Sequence, residues 1–258
     1  MTLRECYPQT QIQTIGPFMM LLNDLGYKPA ELRRMDRACH FAMKLWSVNF
    51  QSSSRPFICH AVGTAAVLAR NGASTDAVLA GVLHAAYSTG DFGVRIGGAT
   101  ERKRRQIRSV IGSTAEDLVY GFYCLLERYE TNWVEYLEKR GVDGLSDRDR
   151  TLFLMRVCND IDDVSDLSFS SPARRLRMQR FVTSSIKLAA AIERPELATE
   201  LRQKLEAGNE LDVLPGEDYR RYYSGHIMVP ATFRKRLIPA IREVLHRWRT
   251  TGSPRWQP

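Results

Sequence analysis

Between Arg55 and Thr89 the apolar positions recur at intervals of three and four: Ile58, Val62, Ala65, Ala66 and Leu68, then Val78, Leu79, Val82, Leu83 and Ala86. That spacing lines one side of a helix of about 3.6 residues per turn, so the stretch predicts two consecutive helices. Asn71-Gly72 closes the first, and Ser74, Thr75 or Asp76 caps the second. Gly63, Ala77, Ala80, Gly81 and Ala85 are interleaved with the larger residues and let helix backbones approach closely, so the hairpin is expected to be buried on several sides. Each helix carries one histidine, His60 near the start of the first and His84 near the end of the second. A buried two-histidine site needs that placement.

The same periodicity predicts helices along the rest of the chain, with no strand-like alternation and no internal repeat. Residues 1–15 read as a polar lead-in, a short helix begins at Pro17 and stops at Gly26, and Pro29 opens a longer one to about Trp46. His40 lies beside the apolar stripe of that helix. The glycine-rich passage 88–99 is either a cover or a plain connection. Ser113-Thr114-Ala115-Glu116 has the spacing of a capping box for the next helix. Residues 131–148 are polar and show no clear helix, whereas 148–168 is apolar on most sides before its acidic run Asp160, Asp162, Asp163 and Asp166. Further helices are expected at about 171–192, 195–206, 216–224 and 230–249, with Tyr219–His226 as an aromatic and cationic patch and a frayed tail after Gly252.

With 258 residues, 44% of them hydrophobic, the chain has ample material for a core. No apolar run is long enough to span a bilayer and the first residues lack a signal-peptide segment, so a cytoplasmic protein is expected. Five cysteines show no CxxC spacing, and their odd number argues against a complete disulfide framework. The net charge of +8 comes from arginine-rich clusters at 102–105, 174–180 and 234–249. No nucleic-acid motif accompanies them, so solvated helix faces or attraction of an anionic small molecule is the expectation.

Three segments together resemble a known superfamily. The order Asp36-Arg37-Ala38-Cys39-His40, Arg55-Pro56-Phe57-Ile58-Cys59-His60, Ala80-Gly81-Val82-Leu83-His84 resembles HD-domain proteins, particularly the hydrolase domain of stringent-response (p)ppGpp enzymes. Met155–Val164 is similar to that family's later Lys-Leu-Ala-Asp-Arg-Leu-His-Asn segment. The resemblance covers roughly residues 30–170 and implies an all-α, HD-domain-like helical bundle; with its N-terminal lead-in this core is expected over 1–170, and the helices read from the sequence over 171–258 are expected to pack on it as one structural unit. It also implies metal ligands from a His, a His-Asp pair and a later Asp. Here His60 and His84 match, but Ala85 stands for the paired Asp and Asn159 for the later one, and Tyr87-Ser88-Thr89 replaces the acidic pair of the hydrolases. The chain is more similar to a branch in which the His-Asp pair is degenerate.

The expected chemistry follows from these departures. Losing two carboxylates weakens a divalent ion's hold, so the leading expectation is an enzyme without a cofactor, acting on a small polar or anionic molecule. His60, His84 and Tyr87 would be its catalytic groups, and Arg55, Asn159 and Asp163 would bind substrate. If a transition metal (Mn, Fe or Zn) is bound, His60, His84 and Asp160 would hold it, giving a metal-dependent phosphohydrolase or oxygenase. A catalytically dead ligand-binding or regulatory module is the third alternative, and a homo-oligomer is left open.

Overall fold

The computed structural model describes residues 12–47, 49–51, 55–93, 98–129, 133–165 and 172–210. All of them lie in the first of the two units into which the chain divides, Met1–Gly225, and none in the second, His226–Pro258. The helices expected at 216–224 and 230–249, the Tyr219–His226 patch and most of the lead-in lie outside the described residues, as do 94–97 of the glycine-rich passage.

Every regular element among the described residues is a helix, so the fold class is all-α. In chain order the helices are α1 (Ile15–Asp24), α2 (Pro29–Leu45), α3 (Phe57–Arg70), α4 (Thr75–Leu83), α5 (Ala86–Thr89), α6 (Glu101–Ile111), α7 (Ser113–Tyr129), α8 (Trp133–Arg140), α9 (Asp147–Val164), α10 (Pro172–Ala191) and α11 (Pro195–Glu210). One isolated bridge, Phe50 with Pro56, closes the loop that leads into α3.

The centre of the molecule is α3, in which every residue from His60 to Ala69 is buried. It packs chiefly on α4 and α9, while α10 and α11 pack on α9 and on each other. An all-round apolar helix can only be stable in such a place, surrounded by other helices. Leu68 of α3 and Leu79 and Leu83 of α4 are fully buried, and each such side chain stabilises the fold by about 1.5–3 kcal/mol. The turn between these helices is as expected: Gly72 takes φ +70°, and the Ser74 hydroxyl accepts from the Ala77 amide.

Three local expectations differ from the structure. Residues 133–140, read as polar and irregular, form α8, because Trp133 is buried between Phe122 and Phe153 and anchors an otherwise hydrophilic helix. The second hairpin helix ends at Leu83, leaving His84 and Ala85 in a break before α5. Glu116 does not serve as the last member of a capping box, for its carboxylate is occupied by two arginines and a tyrosine. A capping box does form at the start of α9, between Ser146 and Asp149.

Candidate functional site

Close approach of α3 and α4 is what brings the two histidines together. A Cβ at Gly81 would sit 2.5 Å from Leu68 Cδ1 and 3.4 Å from the Ala65 Cα, so a larger residue there would force the Leu68 side chain aside for α4 to lie this near α3. His60 Nε2 and His84 Nε2 then stand 3.2 Å apart with their rings nearly perpendicular, at 80°. Both residues are 3% exposed. Phe57 packs edge-on against His60 and Phe122 against His84, so apolar rings flank the pair.

The other nitrogen of each ring is already engaged. His84 Nδ1 lies 2.8 Å from the Gly81 carbonyl, which can only accept, so that nitrogen carries a proton. The same carbonyl accepts from the His84 backbone N–H at 3.5 Å, at the point where α4 ends. His60 Nδ1 donates to Asp162 Oδ2 at 2.7 Å. The same oxygen accepts from the Arg55 guanidinium at 2.6 Å, and Gln51 Oε1 steadies Arg55 through bonds of 3.0 and 3.2 Å. Asp163 Oδ1 accepts from Gln51 Nε2 at 2.9 Å and lies 3.6 Å from His60 Nδ1.

Protonation follows from this geometry. With Nδ1–H on both rings, the Nε2 contact is a hydrogen bond only if one Nε2 also carries a proton. Burial opposes charge on His60, but the carboxylates of Asp163 and Asp162 outweigh it and hold its pKa above the usual value. Burial, reinforced by the charge on His60, pushes His84 down to about 3. Of the two rings His60 is therefore the one that takes up a proton more readily, and His84 Nε2 is placed to accept from it.

The remaining expected site residues are distributed differently. Arg55 is buried and spent on Asp162 and Gln51. Asn159 Nδ2 donates to Asp160 Oδ1 at 3.0 Å and Asp163 Oδ2 at 3.3 Å, which places it beside Asp163. Asp160 turns the other way, accepting from Arg156 Nε at 3.0 Å and from the Ser185 hydroxyl of α10 at 2.5 Å. Tyr87 does not join the histidines: its hydroxyl donates to Glu116 Oε1 at 2.6 Å, because the break after His84 rotates α5 toward α7. His40 is exposed, with Nδ1 2.9 Å from its own helix's Asp36 carbonyl. Asp162, one of four acidic residues in its run, was not singled out by sequence. The signal available for it was Gly63, a glycine inside a buried helix.

An HD-type metal centre does not fit this donor set. Two imidazole nitrogens face one point, but Ala85 and Asn159 supply no carboxylate and Asp160 is committed to Arg156 and Ser185. Among the described residues no three His, Cys, Asp or Glu side chains gather so as to hold an ion.

Comparison with known proteins gives one family match. A model described as Domain of unknown function (DUF6817) matches residues 44–128, which is a third of the chain and includes both histidines and Glu116 but not Asp162. No curated protein matches the chain.

Proposed function

We propose that the chain is a diverged HD-type enzyme that moves a proton to or from a small polar or anionic molecule at the His60–His84 pair, with little or no need for a metal. The observation that carries this reading is the 3.2 Å approach of the two Nε2 atoms while both Nδ1 atoms are committed elsewhere. His60 Nε2–H is then the acid and the His84 Nε2 lone pair the base, and a substrate group inserted between them meets both. Asp163, with its side chain 18% exposed, marks the side of the pair nearest solvent. Asn159 and Gln51 stand beside it with amides that orient a polar ligand. Hydrolysis is the reaction class in which such a pair most directly serves, and a cytoplasmic small-molecule substrate is the proposed partner. No helix among the described residues is long and apolar enough to cross a membrane.

The test is turnover of a panel of phosphomonoesters, nucleotides and carboxylic esters by chelator-treated protein, set against His60→Gln and His84→Gln. The expected result is conversion of at least one compound class by the untreated and treated protein alike, falling about 10²–10⁴-fold in either variant. Turnover that returns only on adding Mn, Fe or Zn would replace this reading by the metal-dependent one. Variants that melt normally and convert every compound at the parent rate would end it.

A further inference from the structure

Asp162 reaches His60 through an opening that only one residue type provides. A Cβ placed on Gly63 would lie 1.9 Å from Asp162 Oδ1 and 2.7 Å from its Cγ, both part of a carboxylate that has no room to retreat. Gly63 is in the interior of α3, three residues after His60, where glycine costs about 0.5–1 kcal/mol relative to alanine. The cost is offset by nothing local, since φ at Gly63 is that of an ordinary helix. What the missing side chain admits is the Asp162 carboxylate, laid against the α3 backbone beside the histidine of that helix.

The carboxylate is fully buried and fixed from two sides. Arg55 Nη2 donates to Oδ2 at 2.6 Å and Nη1 donates to Oδ1 at 3.4 Å, while His60 Nδ1 shares Oδ2 at 2.7 Å. A charged acceptor at that distance determines which ring nitrogen must hold a proton and which way the ring faces. We propose that Asp162 is a positioning residue for His60, seated by the gap at Gly63 and clamped by Arg55, which keeps Nδ1 protonated and aims Nε2 at His84. This assignment rests on the acid-base reading of the pair, and it is tested without any substrate. The charged and titratable groups that face His60 are Arg55 ahead of α3, His84 after α4, and Asp162 and Asp163 on α9.

The experiment is proton–nitrogen NMR of the histidine rings in the full chain, with His60→Gln used for assignment. In the parent protein the His60 Nδ1 proton is expected at unusually low field and slow to exchange with water, the signature of a buried charge-assisted bond. Asp162→Asn keeps the shape and an amide oxygen but removes the charge, and should move that resonance to ordinary field. Gly63→Ala displaces the carboxylate and should abolish it. If either variant fails to fold, the other and the parent spectrum still decide. A parent His60 that carries its proton on Nε2 alone overturns the assignment. So does an unchanged Nδ1 resonance in whichever variant folds. Absence of turnover in the panel above leaves this result untouched, so failure of the acid-base reading and failure of the positioning role are told apart.

Discussion

Two of the buried charge networks among the described residues, those around Glu116 and Asp162, differ in what lies at their ends. Around Glu116 every group has found its partner: Arg104 bonds both oxygens at 2.7 and 3.0 Å, Arg108 adds 2.8 Å, Tyr87 adds 2.6 Å, and Arg104 stacks on Tyr120. Burial alone would raise the pKa of Glu116, but bonds from Arg104, Tyr87 and Arg108 outweigh it and keep it below the usual range. That network ties α5, α6 and α7 together and has nothing left to offer a ligand. The network around Asp162 ends differently, in two imidazole nitrogens 3.2 Å apart. A set of bonds closed by arginine and carboxylate holds structure, whereas one that ends in two weak bases can pass a proton between them.

Breaking the closed network should have the largest effect. Glu116→Ala leaves Arg104 and Arg108 without their shared carboxylate, and removing one partner of a buried pair costs about 3–5 kcal/mol. The lower figure of about 3 kcal/mol is expected here, because the arginines are 19% and 33% exposed and can turn to water. Urea unfolding measures it, and the histidine ring resonances should stay where they are. A shift of the His60 or His84 signals would show that the two networks are coupled and would dissolve the contrast.

Acid titration addresses the open network. The folded chain holds His84 neutral down to about 3, so the unfolded chain takes up the extra proton first and stability falls as the pH drops from 6.5 toward that value. The loss approaches about 1.4 kcal/mol for each pH unit within the window. His60 acts in the opposite sense: its contribution is complete below the ordinary histidine value and is lost as the pH rises through its elevated one. His84→Gln should flatten the acid limb of the stability curve between pH 6 and 4, read by denaturant midpoints across about that range. An unchanged limb would mean that His84 titrates normally in the folded protein.

The smallest effect is expected from Tyr87→Phe. The ring stays packed against Tyr120 and Tyr123, and Glu116 keeps both arginines, so losing the hydroxyl should cost about 1 kcal/mol. Any turnover found in the panel should be unaffected. A drop in rate at unchanged melting temperature would return Tyr87 to the catalytic site.

The histidine hairpin was legible in the sequence because it is a local object. Three- and four-residue spacing, a Gly72 turn and a run of small residues act within thirty-five positions, Arg55 to Thr89, and each leaves a mark on the chain. The partners of the histidines left weaker marks. In α9 almost every residue from Leu152 to Asp162 is buried, so no polar face shows which way the acidic run points. Asp160 and Asp162 look alike in sequence, yet one meets Ser185 of α10 and the other His60 of α3. The bond of Tyr87 to Glu116 left no mark either: α4 ends at Leu83 and a separate short helix carries Tyr87, and no pattern of apolar positions records that break. Helix α8 was hidden because one tryptophan, Trp133, outweighs a polar composition.

Asp162 joins His60 across 102 positions of chain, whereas His84 is 24 away. Short loops close early and long ones late during folding, so the two imidazoles meet before their carboxylate arrives. Until α9 docks, His60 has neither its counter-ion nor its fixed orientation. A nascent or partly unfolded chain that has formed the hairpin without docking α9 therefore lacks the Asp162 contact to His60.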